Sequence, residues 1–267
     1  MQQVQNQQSQ KATVFFAVVI ATYLFPVILF GVAPLLPSSV FFKYLLTAIG
    51  SLVLLSIALL AIRGDTVTLE EIGWSAKGLQ KAGKMIVIGW MIWAVLIISI
   101  NFKMGYPFSD NFESPLPKIL VQWCFVGIAE EVLFRGYIFT KLTQLFVKSG
   151  RTWSKVAGIV ISSFVFATFH IPQRIFVHSM ELTPDGLTRQ MLPLFLAGAL
   201  LAWLFLRSQN VLFVGLVHGG MNAPLLGREG DLAPILLFFM LAEVIAWRRR
   251  RRINVSDTSR LFKQGEA

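Results

Sequence analysis

The sequence predicts an all-α protein, a polytopic membrane bundle of about eight transmembrane helices. Hydrophobic residues make up 55% of the 267 residues and charged residues only 14%, where a soluble domain has about 25% charged residues. The apolar stretches are continuous rather than alternating, and several approach the roughly 20 residues that a helix needs to cross a hydrocarbon core. Because lipid offers no hydrogen bonds to the backbone, these stretches are predicted to be helices.

Eight stretches fit this description. They are Ala12 to Leu35, Val40 to Ile62, Met85 to Ile100, Leu116 to Thr140, Trp153 to Ile171, Met191 to Leu206, Val211 to Leu226 and Leu232 to Trp247. The shorter ones are also compatible with re-entrant segments. The first is longer than a signal-peptide core and precedes many further spans, so it is predicted to be retained. One integral membrane domain is therefore predicted over residues 1–252, followed by a flexible cytoplasmic tail over residues 253–267.

The segment between the second and third spans, Thr66 to Lys84, mixes apolar and charged residues. Leu69, Ile72 and Trp74 stand among the charges, a composition typical of a helix that lies on the membrane surface. We expect such a helix on the cytoplasmic side.

Basic residues are distributed unequally between the two ends of the predicted spans. With eight crossings and both termini in the cytoplasm, seventeen of the 24 lysines and arginines lie inside, six lie outside and Arg135 lies within a span. The inner residues are Lys11, Arg63, Lys77, Lys81, Lys84, Lys141, Lys148, Arg151, Lys155, Arg207, Arg248 to Arg252, Arg260 and Lys263, and the outer ones are Lys43, Lys103, Lys118, Arg174, Arg189 and Arg228. This asymmetry follows the positive-inside rule.

The same asymmetry explains the net charge of +10 without a nucleic-acid partner. The run Arg248 to Arg252 directly follows the last span, where it can bind anionic lipids of the inner leaflet. The protein is therefore predicted to reside in a membrane, with a bacterial plasma membrane favoured.

The polar residues inside the predicted spans are few and cluster in three of the eight spans. On the fourth span, Glu131 and Arg135 lie four residues apart on one helical face and can neutralise each other. Glu130 is rotated by about 100° from Glu131. The pair is therefore predicted to be structural, which leaves Glu130 available.

The fifth and seventh spans add four further residues. Phe166 and His170 share a face of the fifth span, and His218 and Asn222 share a face of the seventh. Taken singly, a histidine or asparagine is equally explained by a hydrogen bond between helices, and Phe166 by ordinary packing. Together they form a functional-site hypothesis, because intramembrane ionisable groups are costly. His178 falls in a predicted loop and is interpreted as a surface histidine.

One carboxylate, two imidazoles and an amide suit the activation of water. A carboxylate in apolar surroundings becomes an effective general base, and a neighbouring histidine can share or orient the proton. A second histidine and an asparagine can donate to a developing oxyanion, which is worth about 3 to 4 kcal/mol for a well-placed donor. These residue types predict hydrolysis of an amide.

A zinc site is an alternative for the same residues. Glu130, His170 and His218 supply two imidazoles and one carboxylate, with water as the fourth ligand. The chain has no HExxH sequence, and its single cysteine, Cys124, allows neither a disulfide nor a cysteine-based metal site. Residue types alone leave the metal-free and zinc-bound versions equally open.

Three motifs in chain order resemble those of a known family. "EEVLFRG" (Glu130 to Gly136) resembles an EExxxR motif, "FATFH" (Phe166 to His170) an FxxxH motif and "HGGMN" (His218 to Asn222) an HxxxN motif. These are motifs of the CAAX prenyl protease and bacteriocin-processing (Abi-type) family of intramembrane proteases. The motif-bearing region, about residues 116–226, is under half of the chain. The resemblance implies an eight-helix protease whose substrate is a membrane-bound peptide or a lipidated protein.

The resemblance also implies a role for each motif residue. Glu130 would be the catalytic glutamate and would activate water together with His170. His218 and Asn222 would stabilise the oxyanion.

The remaining motif residues would support this site. Glu131 and Arg135 would hold it in place, and Phe166 would pack beside His170. The resemblance favours a glutamate protease without a cofactor over a zinc enzyme.

Two functions from other classes remain open. Members of such a family can act as non-catalytic scaffolds of a secretion or immunity system, even with intact motifs. Intramembrane glutamate and histidine also form proton relays in transporters, although the sequence shows neither inverted repeats nor paired broken helices.

Overall fold

The computed structural model describes residues 2–35, 37, 39–105, 115–147, 150–226, 236–244 and 246–247, and every regular element within them is helical. The elements are α1 (Gln2–Val32), α2 (Val40–Gly64), α3 (Ala76–Met104), α4 (116–145), α5 (Arg151–Phe169), α6 (Ile171–Phe176), α7 (Pro184–Ser208), α8 (Val211–Asn222) and α9 (236–244), with a short 3₁₀ turn at Ala33–Leu35. The predicted all-α membrane bundle is confirmed. The basic run 248–252 and the tail 253–267 lie outside the described residues.

Within the described part of the chain, five helical segments are long and apolar enough to cross a membrane. They are Thr13–Leu35, Val40–Gly64, Ala76–Met104, Thr152–Phe176 and Pro184–Ser208. Of the other predicted spans, the fourth is the interrupted helix α4 and the seventh is shorter than expected, since α8 ends at Asn222 after 12 residues. The described part of the last span is helical as well.

Side-chain caps determine where four helices begin. Ser39 and Ser75 accept hydrogen bonds from backbone N–H groups in the first turns of α2 and α3, at 3.3 and 3.0 Å. Thr183 and Asn210 do the same for α7 and α8, at 3.1 and 3.0 Å. Such caps satisfy backbone donors that the first helical turn leaves unpaired. These four polar residues therefore define where α2, α3, α7 and α8 begin.

The predicted surface helix between residues 66 and 84 is wrong. Ser75 caps a helix that runs unbroken from Ala76 to Met104, and the preceding residues form turns. Ile72 is fully buried, and its carbonyl accepts a hydrogen bond from the Val211 N–H at 2.8 Å. Ile72 thus packs at the start of α8 instead of lying on lipid.

Helix α4 is irregular and lies at the centre of the bundle. It begins after Pro115 and contains two π-helical stretches, Gln122–Val126 and Val132–Phe139. Residues 129–139 are all buried. Thr140 Oγ1 donates to the Arg135 carbonyl at 3.0 Å. A π turn holds about one residue more than an α turn and is frequent at functional sites, so α4 presents its side chains in a different rotational order from an ideal helix.

The bundle has two ends. The proximal end holds the starts of α1, α3, α5 and α8 and the ends of α2, α4 and α7; there Asn210 Nδ2 donates to the Gly78 carbonyl at 2.8 Å. The distal end holds the starts of α2, α4 and α7 and the ends of α1, α3, α6 and α8. At that end the Trp123 indole N–H donates to the Ala223 carbonyl at 2.8 Å.

A buried polar cluster closes the proximal end. Asp65, just after α2, binds Lys141 Nζ, accepts from Tyr137 Oη at 3.0 Å and accepts from the Thr66 N–H at 2.6 Å. The Lys141 and Asp65 side chains are 5% and 0% exposed. Burial by itself raises the pKa of a carboxyl group, but the hydrogen bonds and the charge of Lys141 hold the pKa of Asp65 below its usual range.

We expect Asp65→Asn to destabilise the protein by about 3–5 kcal/mol, because it leaves Lys141 charged and buried without a carboxylate. The matched control is Asp185→Asn, which removes the partner of Arg189 in an exposed ion pair. The Asp185 side chain is 73% exposed and that of Arg189 is 78% exposed, so this change should cost less than about 1 kcal/mol. Thermal unfolding in detergent measures both. Equal effects would contradict the role of the buried cluster.

The stabilisation by Asp65 should also depend on pH. Because the pKa of Asp65 is lower in the folded protein than in the unfolded chain, the stabilisation is fully present above about pH 4 and is lost as the pH falls through the folded pKa. The difference in stability between wild type and Asp65→Asn should therefore shrink in acid.

Candidate active site

A cavity of about 620 Å³ lies in the distal half of the bundle. One part of its wall is apolar and comes from the second half of α1 and the first half of α2. The other part carries the polar side chains Gln122, Glu130, His170, His218 and Asn222 from α4, α5 and α8. The sequence therefore brings its few intramembrane polar groups together at one cavity.

A buried row of three hydrogen-bonded side chains, Arg135, Glu131 and His218, lies beside the cavity. Glu131 Oε1 accepts a hydrogen bond from Arg135 Nη1 at 2.7 Å and lies 2.8 Å from His218 Nδ1. Glu131 is 0% exposed, Arg135 1% and His218 4%. Since a carboxylate only accepts, His218 Nδ1 carries a proton, and the ring is oriented with Nε2 towards the cavity.

Arg135 joins three helices at this point. Its Nη2 donates to the Gly198 carbonyl of α7 at 2.8 Å, and its guanidinium carbon lies 4.5 Å from the centre of the Phe166 ring of α5. A planar guanidinium can satisfy a carboxylate, a carbonyl and an aromatic face at once. Arg135 thus fixes α4 against α5 and α7 while its charge is balanced by Glu131.

His170 lies where α5 ends and α6 begins. Its Nδ1 is 2.8 Å from the Phe166 carbonyl oxygen. Because a carbonyl oxygen only accepts, Nδ1 carries the proton and Nε2 of the neutral ring presents a lone pair. The ring centre of Phe166 lies 4.7 Å from that of His170 and 5.7 Å from that of His218, so Phe166 separates and supports the two imidazoles.

Glu130 faces both histidines without touching either. Its Oε2 lies 3.7 Å from His170 Nε2 and 3.9 Å from His218 Nε2. This oxygen is buried and has no hydrogen-bond partner among the described residues. The Nε2 of neutral His170 and Glu130 Oε2 are both acceptors, so a group with two protons, such as water, suits the gap between them.

Asn222 reaches the site from the last turn of α8. Its Nδ2 donates to Gln122 Oε1 at 3.0 Å, which leaves the second amide hydrogen free to bind another acceptor. Gln122 is a site residue that the sequence reasoning missed. On an ideal α-helix it lies about 80° away from Glu130, and the π turn at Gln122–Val126 turns it towards the same cavity.

Glycines allow α8 to lie directly against α4. A Cβ atom on Gly219 would be 2.5 Å from Trp123 Cα, and one on Gly127 would be 2.2 Å from the Gly215 carbonyl oxygen. The two backbones therefore approach closely at Gly219, whereas Gly220 faces the side chains of Trp90 and Trp123. This contact brings His218 within hydrogen-bond distance of Glu131.

All seven sequence-predicted site residues lie at or beside the cavity. The Glu131–Arg135 pair forms as the spacing predicts, but Glu131 also orients His218, so it belongs to the site as well as to the helix. His178 is exposed, as predicted, and it also lines the mouth of the cavity with Arg174.

The residues of the zinc alternative meet only some of the requirements of a zinc site. Zinc binds nitrogen and oxygen at about 2.0–2.2 Å, and among the described residues no group of three or more histidine, cysteine, aspartate or glutamate side chains is arranged to hold a metal ion. The residue types do fit zinc. The orientation of His170 and His218 fits as well, because the Nδ1 atom of each ring is held by an acceptor and the Nε2 atom of each ring faces Glu130.

Comparison with known proteins identifies one related family. Residues 112–224 match the family model described as Type II CAAX prenyl endopeptidase Rce1-like. The matched segment contains all seven predicted site residues. No curated protein and no solved structure matches the chain.

We expect Gly219→Ala to destabilise the protein by about 1–3 kcal/mol and to displace His218, because the added methyl group overlaps the backbone of α4. The matched control is Gly83→Ala in α3, where nothing lies within 4 Å of the added atom and alanine should be neutral or stabilising by up to about 1 kcal/mol. Thermal unfolding in detergent distinguishes them. An unchanged melting temperature for Gly219→Ala would contradict the close contact.

Proposed function

We propose that the protein is an intramembrane endopeptidase, because residues 112–224 match the Rce1-like family model of type II CAAX prenyl endopeptidases. Its substrates are peptide bonds of membrane-associated peptides or lipidated proteins. The observation that carries the mechanism is the buried Glu130 Oε2, which faces two imidazole nitrogens at distances that suit one shared water. The protein is an integral membrane protein.

The first step is the activation of water by Glu130. A water between Glu130 and His170 donates one hydrogen to each acceptor, so it is oriented before the substrate arrives. Glu130 takes one proton as the water oxygen forms a bond to the carbonyl carbon of the substrate. A general base of this kind contributes about 10²- to 10⁴-fold to the rate.

The negative charge then develops on the substrate carbonyl oxygen. His218 donates its Nδ1 hydrogen to Glu131, so it can also donate from Nε2 in its doubly protonated, imidazolium form, which the neighbouring Glu131 and Glu130 carboxylates stabilise. Asn222 can donate its second amide hydrogen. Both donors are already held by other residues, so little reorganisation is needed when the charge appears. The proton held by Glu130 finally passes to the leaving amine as the C–N bond breaks, which leaves the carboxylate free for the next water.

Glu131 and Arg135 act as positioning residues in this mechanism. They do not reach the reacting atoms, but Glu131 sets the tautomer and the direction of His218, and Arg135 neutralises Glu131. Removing either would leave a buried charge without its partner.

The charge asymmetry of the sequence supports further parts of the proposal. We propose that both termini lie in the cytoplasm, that the membrane is a bacterial plasma membrane, and that Arg248 to Arg252 bind anionic lipids. The same asymmetry gives no reason to assign a nucleic-acid partner.

The two neighbouring glutamates provide a matched test. We expect Glu130→Gln to lower the rate of peptide cleavage about 10²- to 10⁴-fold with little change in melting temperature, because Glu130 Oε2 has no partner to lose. Glu131→Gln should lower both the rate and the stability, since it breaks a buried ion pair. The measurements are thermal unfolding in detergent and comparative peptidomics of membranes.

Two results would contradict this assignment. Unchanged peptide profiles in Glu130→Gln at normal expression would refute the catalytic role of Glu130 and favour the scaffold function. A large loss of stability in Glu130→Gln would show that Glu130 has a structural partner.

The zinc version of the same protease has its own test. For the metal-free mechanism we expect cleavage to survive treatment with a chelator, and we expect less than one equivalent of zinc in the purified protein by elemental analysis. Loss of cleavage that zinc alone restores, together with stoichiometric zinc that His170→Ala removes, would establish the zinc enzyme instead.

A further inference from the structure

We infer that the catalytic cavity opens on the non-cytoplasmic side of the membrane, so that its substrates are peptide segments that have already crossed it. The orientation follows from the fold and the charge distribution alone. The statement about substrates rests in addition on the proposed function.

The cavity extends from the middle of the bundle to its distal end. Its lining includes Leu29 near the end of α1, Leu46 near the start of α2, Gln122 near the start of α4 and Asn222 at the end of α8. Its mouth carries His178, which is exposed and follows α6. Substrates therefore enter from the side of the membrane on which the distal end lies.

The proximal end carries most of the positive charge. Nine of the seventeen inner basic residues fall among the described residues and lie towards the proximal end, and five of the six outer ones lie towards the distal end. The remaining basic residues are assigned to a side by their place in the sequence. The distal connections also contain six acidic residues, so they have no net charge. Those acidic residues are Asp110, Glu113, Glu181, Asp185, Glu229 and Asp231.

This distribution determines the orientation. Lysine and arginine in short loops resist translocation during insertion, and acidic residues contribute little. The opposite orientation would carry seventeen basic residues across the membrane instead of six. The proximal end is therefore cytoplasmic, and the cavity mouth at the distal end faces outwards.

The orientation restricts the chemistry of the substrate. A lipidated protein on the cytoplasmic leaflet cannot reach a mouth on the opposite side without crossing the bilayer. A peptide exported through the membrane, or a segment anchored in the outer leaflet, can enter directly. The scissile bond then approaches Glu130 past His178 and Arg174, which line the mouth and the adjacent wall.

Single-cysteine labelling tests the orientation without any need for a substrate. The background is Cys124→Ser, which removes the only cysteine. Glu181→Cys and His178→Cys report on the distal end, and Glu70→Cys on the proximal end; all three native side chains are exposed. Glu70→Cys and Glu181→Cys remove the same charge, so they form a matched pair.

A membrane-impermeant maleimide is applied to right-side-out and inverted vesicles from a bacterial host that expresses the full chain. We expect labelling of Glu181→Cys and His178→Cys in right-side-out vesicles, and of Glu70→Cys only in inverted vesicles. The reverse pattern, or labelling of one position from both sides, would overturn the orientation. The same result is expected with Glu130→Gln added, so a failure of the proposed catalysis leaves this test valid.

Peptidomics tests the part of the inference that concerns substrates. Peptides that differ between wild type and Glu130→Gln should come from segments outside the cytoplasm. Peptides from cytoplasmic segments would overturn the inference while supporting the protease. No difference at all would refute the proposed function and leave the labelling result to decide the orientation.

Discussion

The structure of the site depends on one carboxylate oxygen, Glu131 Oε1. It binds Arg135 at 2.7 Å and His218 at 2.8 Å in a part of the bundle with almost no exposure. An ionised group in such surroundings is stable only with partners of opposite charge or with hydrogen bonds. Because those partners come from α4 and α8, the burial of one charge fixes the relative position of two helices.

The same constraint extends outward from Arg135. Its second nitrogen binds the Gly198 carbonyl, and its face covers Phe166, so α5 and α7 are attached to the same group. Phe166 in turn contacts both imidazoles. A buried ion pair is often a weak source of stability, but it is an effective source of specificity when its geometry is satisfied in only one arrangement. Here the arrangement that it selects holds the Nε2 atoms of both histidines within 4 Å of Glu130 Oε2.

The two adjacent glutamates therefore have opposite environments. Glu131 binds two partners through Oε1 and leaves its Oε2 without one, whereas Glu130 lines the cavity and its unpaired Oε2 faces the two imidazoles. A buried carboxylate oxygen without a hydrogen bond lowers the stability of the folded protein. The same oxygen is free to accept a proton from a bound water. A π turn in α4 and glycines on both helices let the backbones of α4 and α8 come close without side-chain overlap.

Local spacing determined much of this protein. Continuous apolar stretches identified the helices, since the cost of an unpaired backbone in lipid depends on sequence length and composition. The i to i+4 spacing identified the Glu131–Arg135 pair. The resemblance of three short motifs pointed to the residues that line the cavity.

Contacts between distant segments could be decided only by the tertiary structure. The sequence did not show that Glu131 binds His218, because 87 residues separate them and the contact depends on glycines that bring two backbones together. It did not show Gln122, because a π turn changes the rotational order of α4. Residues 66–84 look like a surface helix by composition, but packing against α8 buries Ile72. Local periodicity describes one helix at a time, and only the packed bundle sets the phase of each helix relative to the others and the end at which the cavity opens.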